Sequence, residues 1–349
     1  MTTRALFAWL PASLRARLKE AIRLLRYRVI RATLAYSPAD LDAALRRLGI
    51  GEGDSILMQA SFSSMNGFSG DAPHVIDRIL SIIGPRGHLF MVSMPYRSSA
   101  QAYLESKSVF DVRRTPSMMG VMSESFRRRA GVIRSANPLH PLLAWGPRAE
   151  WVISGHEDLA HSCGPGSPYE KMLSLGAKAL FFDVGLEVLT FTHCLEHRFQ
   201  DTAPVPVYTS EPMATEIIDR SGQRKTITVF PFAAEAMRRR NFGVLYDRMI
   251  AQGDVARERV GNTELQLATL QSVVDTGKTM IDEGTHIYAA AGQPVRVAPK
   301  RRTLRRRFFT LLTSLHAMRR VSRDGWRLTR RVLAPLSAAI GAVRILPFR

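Results

Sequence analysis

The sequence predicts an α/β fold, a single large domain with a central mixed sheet flanked by helices, plus basic amphipathic helical ends. Three observations predict it. Between residues 37 and 297, short apolar runs of strand type alternate with amphipathic helical stretches through glycine-rich turns, the pattern of a sheet covered on both faces. The 349-residue length allows a substantial buried core, and 46% hydrophobic with 23% charged residues is a globular composition. The charge is also divided unevenly. Residues 1–35 hold eight basic groups against Glu20, and residues 298–349 hold fourteen against Asp324. Of the overall +19, residues 36–297 therefore contribute −1.

Each element follows in order. Residues 1–36 read as a basic amphipathic helix, with Leu14, Leu18, Ile22, Leu25 and Val29 at helical spacing and arginines on the other faces. Pro11 interrupts the apolar stretch at 5–14 and arginines follow at once, which argues against a secretory signal. The domain proper, 37–297, opens at Ser37-Pro38, an N-cap followed by a first-position proline. Its first helix runs through Leu41, Ala44, Leu45 and Leu48 to Gly49. A turn at 51–54 leads to a buried strand at 55–60. A helix is expected over 73–83, a strand over 88–93, a helix over 118–130 and a buried strand over 177–184. Beyond Glu211 the pattern weakens, with a strand expected at 226–232 and a mostly helical stretch at 265–283. In the tail, 298–349, Leu304, Phe308, Leu311, Leu312, Leu315 and Met318 form an apolar stripe beside Arg305, Arg306, Arg319 and Arg320. The run at 332–348 contains Pro335 and Arg344 and falls short of the ~20 apolar residues of a spanning helix.

Two cysteines, Cys163 and Cys194, exclude a disulfide framework and fit a reducing compartment. A pI near 10.9 raises nucleic acid and anionic membrane as partners. Because the excess charge sits on two amphipathic ends that also carry Phe7, Trp9, Phe308, Phe309 and Trp326, a bilayer interface is favoured over nucleic acid. Packing of both stripes on the domain, with solvated arginines, is the alternative. The expected location is cytoplasmic, peripheral at the inner face of the membrane.

Several segments carry chemistry. Ser61, Phe62, Ser63 and Ser64 follow a predicted strand, where hydroxyls and backbone N–H groups would meet a ligand at the carboxyl edge of the sheet. Thr115-Pro116-Ser117 stands where a helix should begin, so its N-terminus would face phosphate. Arg134 and Ser135 offer a guanidinium and a hydroxyl to the same anion. His193 and Glu196 lie three apart on a predicted helix, a spacing that suits a base oriented by a carboxylate.

Taken in order, QASFSSMNGFSG (59–70), FDVRRTPSMMGVMSESFRRRAGVIRSANP (110–138), AWGPRAE (144–150), GPGSP (164–168) and DVGLEVLTFTHCLEH (183–197) resemble the aminoglycoside 3-N-acetyltransferase family. The resemblance implies acetyl-CoA as co-substrate, no metal, and acetyl transfer to an amino group of an amino sugar. The acceptor would be an aminoglycoside or a cell-surface glycan precursor. It implies that Ser61–Ser64, Thr115, Ser117, Arg134 and Ser135 line a coenzyme A tunnel, and that His193 takes the acceptor's proton while Glu196 orients it. Two positions depart from the family pattern: Asn137 stands where a histidine is common, and Pro141 where a serine follows His140. His140 is either a cofactor-side group or structural.

Two other classes compete. His193-Cys194-Leu195-Glu196-His197 matches the inverted zinc-peptidase pattern, which needs a third ligand such as Glu258, Glu264 or Glu283. At i and i+5, His156 and His161 diverge too far to form a zinc helix. A non-catalytic membrane- or RNA-associated protein keeping the fold is the other alternative.

Overall fold

The computed structural model of the chain describes residues 12–290 together with Gln293 and Val295. The chain divides into two compact units, Tyr36–Ala298 and a second made of Met1–Ala35 with Pro299–Arg349. In the second unit the described residues, 12–35, contain a 22-residue helix, Ala12–Thr33. On it Leu25, Val29 and Ile30 are buried while Leu24 and Tyr27 are exposed. The expected basic tail at 298–349 lies outside the described residues.

The larger unit is built on a seven-stranded mixed sheet and a small three-stranded one. The strands are β1 (Ser55–Ala60), β2 (His88–Val92), β3 (Phe110–Asp111), β4 (Ile133–Arg134), β5 (Leu142–Trp145), β6 (Lys178–Phe182), β7 (Met213–Ile218), β8 (Arg224–Val229), β9 (Ala256–Val260) and β10 (Thr263–Thr269). The large sheet runs in the order β4-β5-β2-β1-β6-β10-β9. Its centre, β2-β1-β6, is parallel, and antiparallel strands flank it on both sides. The small sheet, β3-β7-β8, packs its own cluster of Leu104, Phe110, Leu139, Ile217, Ile227 and Val229.

Alternation along the central strands explains why both faces are covered. Ile56, Met58, Leu180 and Phe182 point into one cluster, under the helices Pro38–Arg47, Ala72–Ile83 and Val121–Arg127. Leu57, Phe90, Ala179 and Phe181 point into the other, with residues of the helices Pro168–Ser174, Thr192–Arg198, Phe242–Gln252 and Leu270–Asp282. A strand buried on both faces reads as an apolar run where it is buried, as Ile56–Met58 of β1 and Ala179–Phe182 of β6 do.

The structure corrects two expectations. The helix expected at 118–130 is only Val121–Arg127. Met118 donates its backbone N–H to Met94 O at 2.8 Å, and Gly120 has φ 109°, so the chain is committed to the loop until residue 121. The stretch at 265–283 is a strand and then a helix. Residues 265–269 pair antiparallel with β6, and the Thr269 hydroxyl then caps the new helix by accepting from Ser272 N at 3.0 Å.

Candidate active site

The parallel strands β1 and β6 end together, where Ser61 N donates to Phe182 O at 3.0 Å. Ser61–Ser64 turn over this edge, with Ser61 Oγ 3.3 Å from Ser63 Oγ and 3.2 Å from Ser64 Oγ. Phe62 packs against the neighbouring apolar cluster. The turn is anchored from the β9–β10 connection. Buried Asn262 donates Nδ2 to Ser64 O at 2.7 Å and accepts Gly67 N at 2.8 Å.

After β6 the chain passes Asp183, whose φ is +52°, and a short turn at Leu186–Val188, then forms the helix Thr192–Arg198. Glu196, on its inward face, is fully buried, and His193 is largely so, with 15% of its side chain exposed. His193 Nδ1 lies 2.6 Å from Glu196 Oε2. The other oxygen, Oε1, accepts Arg240 Nε at 2.7 Å and the Tyr288 hydroxyl at 2.5 Å. Burial alone would raise this carboxyl. The hydrogen bond from His193 and the Arg240 charge outweigh it and bring the group down to about 2. An ionised carboxylate only accepts, so Nδ1 carries the proton and Nε2 keeps its lone pair. Burial, reinforced by Arg240, lowers the imidazole below the ordinary histidine range although Glu196 opposes it, so the ring is neutral near pH 7.

Aromatic rings frame His193: His140 at 4.8 Å and Phe232 at 4.9 Å between centroids, with Phe242 at 6.3 Å. His140, left open by sequence, is buried, and its Nδ1 lies 2.7 Å from Ser162 Oγ. Burial lowers its ring below the ordinary range.

The remaining predicted residues form a separate buried network. Arg134 was expected to offer its guanidinium to an anion. Instead Nη1 donates to Thr115 O at 2.6 Å, Nη2 donates to Ser93 O, and the group lies 4.6 Å from the Phe110 ring centre. Ser135 Oγ accepts Leu142 N at 2.9 Å and contacts His156 Nδ1 at 2.8 Å. Thr115 Oγ1 accepts Asp111 N, Ser117 Oγ meets Ser123 Oγ, and Ser117 N donates to Glu124. These side chains shape the loop through their own bonds, although the buried Arg134 Nε has no hydrogen-bond partner among the described residues. With the helix starting only at Val121, Thr115 and Ser117 do not stand at its N-terminus. Asn137 is fully buried and ties the loop to His156 O and Leu159 O, at 3.2 and 3.1 Å.

The zinc pattern is spent on other bonds. Glu196 is held by His193, Arg240 and Tyr288, and His197 Nδ1 faces the Tyr208 hydroxyl at 3.1 Å. Glu258 pairs with Arg47 and Glu283 with Arg248. Sequence reasoning missed Arg240 and Tyr288. Arg240 is the last of three consecutive arginines, and Tyr288 lies in a stretch without periodicity, so only the fold distinguishes them.

A mixed sheet covered by helices on both faces, with a buried histidine–carboxylate pair on the helix that follows β6, defines an α/β protein. The sequence model of the aminoglycoside 3-N-acetyltransferase family matches residues 57–282, and the chain belongs to that family. Aminoglycoside N(3)-acetyltransferase III of a Salmonella species is 32% identical over 165 residues, 44% of this chain and 57% of the relative. The chain thus spans little more than half the length of that relative. Aminoglycoside N(3)-acetyltransferase VII of Streptomyces paromomycinus is 26% identical over 263 residues, 68% of this chain and 89% of the relative. The fold is similar to that of AAC-IIIb in its binary complex with CoASH, with TM-score 0.61 and 22% identity over 74% of this chain and 99% of that one. It is likewise similar to sisomicin-bound AAC-VIa, with TM-score 0.61 and 20% identity over 72% and 99%.

Proposed function

We propose that the protein is an acetyl-CoA-dependent N-acetyltransferase acting on an amino group of an amino sugar. The observation that carries the reading is the 2.6 Å bond between His193 Nδ1 and buried Glu196, within the segment matched by the family. His193 Nε2 accepts a proton from the acceptor amine as its nitrogen attacks the thioester carbonyl. The C–S bond then breaks, and the proton passes to the departing thiolate, giving the amide and free coenzyme A. Glu196 holds the ring in the tautomer that leaves Nε2 free and stabilises the imidazolium that forms. The Ser61–Ser64 turn, at the carboxyl edge where α/β sheets take ligands, receives the donor. The loop through Thr115 and Ser117, braced by Arg134 and Ser135, forms the wall beside it.

The solved sisomicin complex of a structural neighbour supports an aminoglycoside as the first acceptor to try. An amino sugar of a glycan precursor is the second, because residues 36–297 have a net charge of −1 and offer little long-range attraction for a polycation. Among the described residues no helix is long and apolar enough to cross a membrane. The basic ends, +7 over residues 1–35 and +13 over 298–349, support a peripheral hold on an anionic bilayer at the inner membrane face.

Release of free thiol from acetyl-CoA, measured against a panel of aminoglycosides and amino sugars, tests the activity. His193→Ala should lower kcat by about 10²–10⁴-fold with little change in KM for acetyl-CoA. Turnover at the wild-type rate in that variant would remove His193 from the chemistry.

A further inference from the structure

Glu196 is held from outside its own helix by two residues that the reading above does not use. Both donate to Oε1, Arg240 Nε at 2.7 Å and the Tyr288 hydroxyl at 2.5 Å, while Oε2 faces His193 Nδ1 at 2.6 Å. The two donors arrive as one unit. An antiparallel bridge joins Arg240 to Tyr288, with Asn241 N donating to Ile287 O at 2.7 Å and Ala289 N to Arg239 O at 2.8 Å. Arg240 is fixed sideways as well, its guanidinium carbon lying 4.6 Å from the Phe232 ring centre and 6.0 Å from that of Phe242. Those two rings also frame His193, so the clamp and the histidine share one wall.

A carboxylate without solvent exposure has no water to satisfy it, and its two oxygens are free to exchange partners unless each is assigned one. We propose that Arg240 and Tyr288 are positioning residues: by occupying Oε1 they reserve Oε2 of Glu196 for His193 Nδ1 and so fix the ring with Nε2 unprotonated. The inference rests on the reading of His193 as the base. A second consequence follows from charge. His193 is faced by Glu196 from its own helix, by His140 and by Arg240, while Tyr208, Tyr246 and His286 act on Glu196 beside Tyr288. Arg240 is the cation in this set, and it opposes protonation of the imidazole.

Nitrogen-15 NMR of the His193 ring in the full-length protein, without substrate, reads tautomer and titration midpoint directly. Arg240→Gln removes the charge and should raise the midpoint by about one pH unit. Arg240→Lys keeps the charge and should restore the midpoint to the wild-type value. Tyr288→Phe should weaken the preference for Nδ1–H and raise the midpoint by less than Arg240→Gln. In the thiol-release assay the acid limb of kcat/KM should follow the NMR midpoint in each variant, with kcat lower and KM for acetyl-CoA within about twofold. An Arg240→Gln protein whose His193 keeps the wild-type tautomer and midpoint overturns the proposal, as does an Arg240→Lys protein displaced as far as Arg240→Gln. If Arg240→Gln does not fold, Tyr288→Phe decides alone: an unchanged tautomer and midpoint overturn the clamp. The NMR readout needs no turnover. A shifted midpoint in a protein that acetylates nothing would keep the clamp and sink the base reading, whereas full activity of His193→Ala with a shifted Arg240→Gln midpoint would separate the two in the same way.

Discussion

His156 shows how a histidine in this chain serves the fold rather than the chemistry. It is fully buried, with Nδ1 2.8 Å from Ser135 Oγ and Nε2 2.8 Å from Ser162 O. Burial lowers its ring from 6.5 to about 4. A histidine whose folded pKa lies below its unfolded value contributes stability that is complete above pH 6.5. That stability drains as pH falls through the folded pKa, because the unfolded chain takes up the proton first. The difference corresponds to roughly 3 kcal/mol. Unfolding midpoints followed from pH 7 to pH 4 should fall, and His156→Gln, although less stable at pH 7, should show a shallower slope. A variant slope as steep as that of the wild type would remove His156 as a source of acid sensitivity. His193 has the same kind of ring in a different setting. Its Nδ1 faces a carboxylate and its surroundings are aromatic faces, which leaves one nitrogen without a structural duty.

At the scale of elements, the site depends on connections distant in sequence. The Ser61–Ser64 turn is short, with Ser63 exposed and Ser61 and Ser64 half-buried, and it is held by Asn262 across 198 residues. Asn262→Ala would leave Ser64 O and Gly67 N without their side-chain partner, a loss of about 1–3 kcal/mol. Because the turn is the proposed donor site, the same variant should raise KM for acetyl-CoA several-fold while kcat changes less. Equal loss in kcat and in kcat/KM would place the turn in the chemistry instead. The AWGPRAE segment has a comparable local cause. Gly146 has φ 125°, and a Cβ there would lie 2.4 Å from Gly87 O, so the chain leaves β5 by a route that only glycine allows. The segment's likeness to the family thus has a packing reason independent of catalysis.

For the whole molecule, the compact unit Tyr36–Ala298 contains every residue assigned to the proposed chemistry, while the basic ends belong to the other unit. Removal of residues 299–349 should leave acetyl-CoA turnover within about twofold and lower binding to vesicles containing anionic lipid, with the remaining affinity falling as salt is raised. Vesicle binding equal to that of the full chain would remove the tail from the membrane reading. Loss of turnover together with binding would show that the tail supports the domain.

Much of the architecture was legible because periodicity is a local property. The strands at 55–60, 88–92 and 178–182 are buried on both faces along their centres, so Ile56–Met58, Leu89–Val92 and Ala179–Phe182 are apolar runs. The capping box at Ser37 likewise declares itself within four residues. The strand β10 was hidden because its alternation merges into the helix that follows, and β3 and β4, two residues each, carry no period at all. For the site, the three-residue spacing of His193 and Glu196 was enough to place both on one helical face, since helix geometry is set by neighbours in sequence. It could not say what holds the carboxylate. Arg240 and Tyr288 lie 44 and 92 residues from Glu196, and their register is decided by an antiparallel bridge between two segments without a sequence signature. It also could not foresee that Arg134 Nη1 and Nη2 donate to backbone carbonyls and that Ser135 bonds within the protein, because burial depends on every layer packed above a side chain. The sequence by itself determined the fold class, the family and the histidine–glutamate pair. The tertiary structure alone decided which charges neutralise that pair, because electrostatic partners are chosen by distance in space.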